Sequence, residues 1–237
     1  MSEQIEKYIN LCSKEIFREK EALDYLHSRH ITDDDIRKYK IGFSPCHWDI
    51  TPTNPEENRF VLDFPASRNK LIDQIVFPIL DYKGNLSGFA TRTFKGEKRY
   101  NKFYLKPHMQ HFHLWGLYEN LKSIQSSGKV FIVESIFDSI AVLPWVPFVI
   151  SPVAAKITPL QVNFLKRFRV KVYLGFNNDF NKSRNTGKKA TEFALKLMKD
   201  CGIRAKSISL PSTINDFSDF RTECDDLGPF FDNSSLF

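Results

Sequence analysis

The chain has 237 residues, 42% apolar and 26% charged, with a net charge of +6, a balance that suits a soluble globular chain of one large or two small domains. The uncharged stretch Ile140–Ala155 carries Pro144, Pro147 and Pro152 and falls short of the about 20 residues a membrane span needs. The opening MSEQIEKYINL has no apolar h-region, and Cys12, Cys46, Cys201 and Cys224 form no CxxC pair, so secreted, membrane-spanning and zinc-ribbon classes are set aside and a reducing cytoplasm is expected.

The stretch up to Lys40 reads as helical. Ile5, Tyr8, Ile9, Leu11 and Cys12 form one apolar stripe, and Ala22, Leu23, Tyr25 and Leu26 form a second. Thr32 with Asp35 predicts a capping box at the start of a short helix. From Ile41 the pattern turns to short apolar runs, Arg59–Leu62, Ile75–Leu80 and Leu86–Thr93, with Lys83-Gly84-Asn85 as a hairpin turn. This part is expected to be α+β. Beyond Gly128, strands at Lys129–Val133, Phe148–Ser151, Val170–Phe176 and Ile203–Leu210 alternate with helices at Ser135–Leu143, Thr158–Phe168 and Thr186–Cys201. Continuous apolar strands separated by helices predict a parallel sheet wrapped on both faces.

Charge is unevenly spread. Six basic residues lie between Arg92 and Lys106 against Glu97 alone, nine between Lys156 and Lys189 against Asp179 alone, and six acids follow Asn215 against Arg221. Arg92, Lys95, Lys98, Arg99, Lys102 and Lys106 interleave with Phe94, Tyr100, Phe103 and Tyr104, the pattern of a phosphate-tracking groove with stacking rings. A solvated basic face with core aromatics has the same composition.

Ligands of parallel α/β sheets bind at the carboxyl ends of the strands. There the sequence sets Glu134, with Asp138 on the next helix, then Asn177-Asn178-Asp179, then Asp216 and Asp219. Singly, each aspartate is an ordinary cap or loop residue. Gathered at one edge they repel one another unless a hard divalent cation, Mg²⁺ or Mn²⁺, neutralises them, and such sites act on phosphates. His108, His111 and His113 have zinc-like spacing without a fourth ligand nearby and are expected as exposed loop histidines.

KVFIVESIFD (Lys129–Asp138), VYLGFNND and LPSTINDFSDF resemble the Toprim domain shared by primases, topoisomerases and related nucleases. Ala22–Pro45, Ile75–Arg92 and LWGLYENL (Leu114–Leu121) resemble, in the same order, the RNA-polymerase domain of DnaG-type DNA primases. The resemblance implies an α+β basic subdomain (1–127), an α/β Toprim domain with a parallel Rossmann-like sheet (128–222) and an acidic C-terminal tail (223–237). It implies metal-dependent synthesis of RNA primers from ribonucleoside triphosphates on single-stranded DNA. Glu134 and Asp179 would be catalytic, and Glu134, Asp138, Asn177, Asp179, Asp216 and Asp219 would hold the metal. Arg92, Arg99, Lys102 and Lys106 would bind nucleotide and DNA. A replicative helicase and a zinc-binding domain would be partners, on other chains or on regions removed from this one.

The chain departs from the family pattern in several places. Asn177 stands for the first aspartate of the acidic pair, Ser135 for the glycine after the glutamate, and Phe180–Asn185 intervene before Thr186-Gly187. The lysine usually found shortly before the LWGLYENL run is missing. The loss of charge at Asn177 implies weakened activity, and its extreme form is a non-catalytic nucleic-acid or nucleotide-binding module. A Toprim-type nuclease is the other alternative, although it leaves the primase-like segments unexplained.

Overall fold

The computed structural model describes residues 2–48, 70–97, 100–105, 112–154, 156–178 and 186–234. The chain divides into two compact units, Met1–Leu80 with Gly84–Gln110, and Asp81–Lys83 with His111–Phe237. The first contains an antiparallel sheet and the second a parallel one, the α+β and α/β classes that the sequence predicts. Among the described residues no helix is long and apolar enough to cross a membrane.

In the first unit, α1 (Ser2–Glu15) buries Ile5, Tyr8, Ile9 and Cys12 against Val76 and Phe89 of the sheet. Helix α2 (Lys20–Ser28) buries Ala22 and Leu26. Helix α3 (Asp33–Lys38) opens with the expected capping box, in which Thr32 Oγ1 accepts from Asp35 N at 3.2 Å and Asp35 Oδ2 from Thr32 N at 3.0 Å. The sheet runs in the order β1 (Gly42–Ser44), β2 (Gln74–Leu80), β3 (Leu86–Arg92), β4 (Tyr100–Tyr104), all antiparallel. Between β2 and β3, Gly84 has φ 88°, a conformation glycine reaches without a Cβ clash. The apolar run Arg59–Leu62 lies outside the described residues.

In the second unit, α4 (Leu121–Ser127) ends at the left-handed Gly128 and leads into β5 (Lys129–Val133). Then follow α5 (Ile136–Val142), β6 (Val149–Ile150), α6 (Pro159–Lys166), β7 (Lys171–Gly175), α7 (Thr186–Asp200), β8 (Ala205–Ser207), α8 (Phe217–Glu223) and α9 (Gly228–Asp232). The sheet order is β6-β5-β7-β8 with every pairing parallel. The apolar runs of β5 and β7 are buried throughout their last four residues, as central parallel strands covered on both faces must be. Strand β8 is shorter than the predicted Ile203–Leu210. Among the described residues it is an edge strand paired only with β7, and its residues are half-buried or exposed.

The units divide near residue 110, ahead of α4, whereas the resemblance implies a boundary at 127. The physical reason is that Leu114, Leu117 and Ile124 are buried in the core of the parallel unit. Residues 223–237 likewise do not form a separate acidic tail over their described length. Leu227 and Phe231 are fully buried in that same core, where the Phe231 ring lies 6.0 Å from both Phe131 and Phe217. The acids of this segment occupy the outer positions around two large apolar anchors.

Candidate active site

The carboxyl edge of the parallel sheet is built by capping. Glu134 follows β5 directly, and Ser135 caps α5: its Oγ accepts from Asp138 N at 3.1 Å. The Asp138 carboxylate returns to the cap, Oδ2 accepting from Ser135 N at 3.1 Å and from Ser135 Oγ at 2.6 Å. Its other oxygen, Oδ1, accepts from Ser218 N at 3.1 Å, which joins α5 to α8. Ser135 thus has a structural reason to stand where the family pattern has glycine. Asp138 is 1% exposed and engaged through both oxygens, so its geometry is that of a brace between helices, in contrast to the ligand role that the resemblance implies.

Burial pushes the Asp138 carboxyl up to about 7, and Asp216 adds to the rise; the bonds from Ser135 and Ser218 oppose it, and Glu134 adds a smaller push. Glu134 and Asp216 therefore both lie within electrostatic reach of Asp138, although they come from different segments. Asp216 is also the N-cap of α8, its Oδ1 accepting from Asp219 N at 2.7 Å. The ordinary capping role and the clustered role coexist in this residue. Glu134, Asp216 and Asp219 are all half-buried.

Strand β7 runs beside β5 in register Val133↔Gly175, which brings Asn177 and Asn178 to the same edge as Glu134. Asn178 is an organiser that sequence pattern alone did not single out. Its Nδ2 donates to the carbonyls of Leu210, Pro211 and Ile214 at 3.3, 2.9 and 2.9 Å, and its N donates to Asn215 O at 2.8 Å. It fastens the segment that carries Asp216 to the end of β7. Gly187, at the start of α7, lies so close to the Asn177 carbonyl that any Cβ there would collide with it, which accounts for the glycine after the insertion. Asp179 and Phe180–Asn185 lie outside the described residues.

The donor set is hard oxygen, as Mg²⁺ or Mn²⁺ requires. Among the described residues no three His, Cys, Asp or Glu side chains form a ready-made metal cluster. The observation that favours a cation here is Asn177 Oδ1, a buried oxygen that accepts no hydrogen bond. Such an orphaned acceptor is costly unless something binds it. Glu134, Asp216, Asp219 and Asn177 offer the kind of oxygen donor such a cation takes, and Asp138 braces the helices beside them.

In the first unit the register Arg92↔Tyr100, Ala90↔Lys102 and Gly88↔Tyr104 sets Arg92, Tyr100, Lys102 and Tyr104 on one face of β3 and β4 by the two-residue period of strands. Burial pushes the Tyr100 phenol well above its ordinary range, the charge of Arg92 opposes that, and Tyr104 adds to it. Lys102 is exposed, yet desolvation by its surroundings lowers its ammonium pKa. Phe103 turns to the opposite face, stacked 4.9 Å from Phe89 over α1, and Phe94 packs on Tyr25 and Phe43. The interleaved aromatics therefore divide: Phe103 packs against the core beneath the sheet, Phe94 lies between Tyr25, Phe43 and the Lys95 ammonium, and Tyr100 and Tyr104 share the face of Arg92 and Lys102. Arg99 and Lys106 lie outside the described residues, as do His108 and His111. His113 is buried, not an exposed loop histidine, and its carbonyl accepts from Gln161 Nε2 at 2.7 Å.

Residues 8–119 match the family model described as DNA primase catalytic core, N-terminal domain. The chain is 25% identical over 223 residues to the DNA primase of Aquifex aeolicus, covering 87% of this chain and 43% of that one. It is 27% identical over 233 residues to the DNA primase of Buchnera aphidicola, covering 90% and 39%. It thus spans less than half the length of these relatives. The solved zinc-binding and RNA-polymerase domains of Aquifex aeolicus primase superpose with a TM-score of 0.76 at 22% identity, over 93% of this chain and 57% of that one. A DnaG primase catalytic domain bound to single-stranded DNA superposes with a TM-score of 0.76 at 20% identity, over 94% and 76%. Residues 8–119 thus match the N-terminal domain of the DNA primase catalytic core, and the chain has the fold of DnaG primase catalytic cores.

Proposed function

We propose that this chain is the RNA-polymerase core of a primase, a nucleotidyltransferase that joins ribonucleotides on a single-stranded DNA template. The observation that carries the reading is the convergence of Glu134, Asp216 and the unpartnered Asn177 Oδ1 at the carboxyl edge of the parallel sheet. In the reaction the 3′-hydroxyl oxygen of the growing primer bonds to the α-phosphorus of the incoming triphosphate, the bond to the β-phosphate oxygen breaks, and pyrophosphate leaves. Mg²⁺ or Mn²⁺ bound by Glu134, Asp216, Asp219, Asn177 and Asp179 would supply neutralisation of charge at the reacting phosphate. Glu134, half-buried and beside other acids, suits a carboxylate that accepts the hydroxyl proton or ligates the cation. Asp138 keeps α5 and α8 in place beneath it. Arg92 and Lys102, with Arg99 and Lys106, hold triphosphate and template backbone by charge and donor geometry, and Tyr100 and Tyr104 offer rings to template bases.

The replicative helicase and a zinc-binding domain are the proposed partners, and the bacterial cytoplasm the proposed compartment. Asn177 supports a slow enzyme, because an amide oxygen offsets less of the cation's dehydration than a carboxylate does. The test is ribonucleotide incorporation on a single-stranded template with Mn²⁺, run beside a DNA-degradation control. Incorporation without degradation supports the reading. Degradation identifies a nuclease, and template binding with neither identifies a non-catalytic module.

A further inference from the structure

Ser151 follows β6 and is fully buried. Its main chain is held on both sides by Trp115, with Trp115 N donating to Ser151 O at 2.8 Å and Ser151 N to Trp115 O at 3.0 Å. Its hydroxyl makes two bonds that no ladder or core packing requires. Oγ donates to the carbonyl of Glu134 at 2.9 Å and accepts from Val153 N at 2.9 Å. Strand β6 cannot supply that donor itself, because the next residue is Pro152, which has no N–H. Val153, buried and β-branched, sits at φ 52°. For such a residue the left-handed region is a true outlier, kept only where the surroundings enforce it. Strain of this kind tends to collect at functional sites, and here it lies two hydrogen bonds, through the Ser151 hydroxyl, from the peptide that carries Glu134.

We propose that Ser151 is the positioning residue for Glu134: the strained Val153 turn aims the Ser151 hydroxyl, and the hydroxyl fixes the peptide from which the Glu134 carboxylate projects into the acidic edge. The inference rests on the reading of Glu134 as a cation-binding residue. Residues that orient a ligand from behind commonly set metal affinity by about 10–100-fold, and a tenfold loss is the effect expected here.

The test is a cycle of four forms of this chain, wild type, Ser151→Ala, Glu134→Gln and the double variant, each melted with and without a Mn²⁺ titration. Ser151→Ala should lower the metal-free melting temperature by the same amount on both backgrounds, which is the structural cost of the buried hydroxyl. Its effect on the Mn²⁺ response should be conditional. On the wild-type background the Mn²⁺ midpoint should rise by about tenfold; on the Glu134→Gln background the residual response should stay as it is. A Mn²⁺ midpoint unchanged by Ser151→Ala, or shifted equally on both backgrounds, overturns the proposal. An unchanged Mn²⁺ response in Glu134→Gln alone overturns the underlying reading of Glu134, so the two failures are distinct. Should Ser151→Ala not fold, Ser151→Cys keeps a weak donor at the same size, and the same conditional shift in the same direction is required of it.

Discussion

The backbone amide of Ser218 donates to Oδ1 of Asp138 at 3.1 Å across 80 positions of sequence. This one bond holds the first turn of α8, capped by Asp216, against α5, whose start follows Glu134. The carboxylate caps its own helix with one oxygen and receives a second helix with the other. Replacing Asp138 with Asn keeps an acceptor for Ser218 but presents an amide donor to Ser135 N, leaving a buried amide unsatisfied at roughly 1–3 kcal/mol.

That carboxyl also predicts a pH dependence. Its folded-state pKa, pushed up to about 7, lies above the ordinary 3.8. The folded protein therefore holds a proton that the unfolded chain has released between about pH 4 and pH 7. Stability from this group is complete at the low end and lost as pH rises through about 7. Asp138→Asn removes the titration, so the difference in stability between variant and wild type should move in the variant's favour as pH rises across the window. Denaturant melts of both proteins at several pH values measure it, and a constant difference would contradict the assignment.

Glu134→Gln should abolish primer synthesis while leaving the metal-free fold intact. Removing one charge from a group of mutually repelling acids relieves repulsion, so the variant should melt no lower than wild type without metal. Primer assays beside metal-free melts check both halves. Retained synthesis would remove Glu134 from the site.

Arg92→Ala and Lys102→Ala should each weaken single-stranded DNA binding and flatten the dependence of log K on log salt by about 0.7 per lost phosphate contact. Titrations at several salt concentrations read the slope. Unchanged affinity and slope in both variants would show that this face of β3 and β4 is not the groove.

Asn177→Asp should tighten cation binding and raise the rate, by about tenfold or ~1.4 kcal/mol in the barrier. Metal titration and primer synthesis on both forms, side by side, give the answer. An aspartate form that binds no better and works no faster would mean that charge at this position is outside the chemistry.

Phe231→Ala should destabilise the second unit by about 3–5 kcal/mol, although the residue lies in a segment rich in acids. Calorimetry of the variant tests it; a loss below about 1 kcal/mol would return α9 to the status of an appendage.

The alternation of strand and helix, the Thr32–Asp35 box and the carboxyl-edge position of Glu134, Asn177 and Asp216 were legible because each depends on local pattern. The division of Tyr100 and Tyr104 from Phe103 follows from strand period once the register of β4 is known. Less legible were the roles set by distant partners. Asp138 looks like one more acid until Ser218 is folded against it, and Asn178 looks like a turn residue until three carbonyls surround its amide. Leu227 and Phe231 were masked by the acids around them, since charge counts do not weigh single large anchors. One signal stood in plain view: Ser135–Asp138 is an S-x-x-D capping box of the same form as Thr32–Asp35, and it foretells that the Asp138 carboxylate is spoken for.

The aromatic contact among Phe131, Phe217 and Phe231 bears on when the protein becomes competent as it is made. Strand β5 is an early part of its unit, yet its ring partner Phe231 emerges from the ribosome about a hundred residues later, and contacts of such long separation close slowly. The antiparallel sheet, by contrast, closes with β4 at Tyr104. During translation the basic face should therefore exist before the acidic edge does, and a stalled chain should bind nucleic acid without being able to act on it.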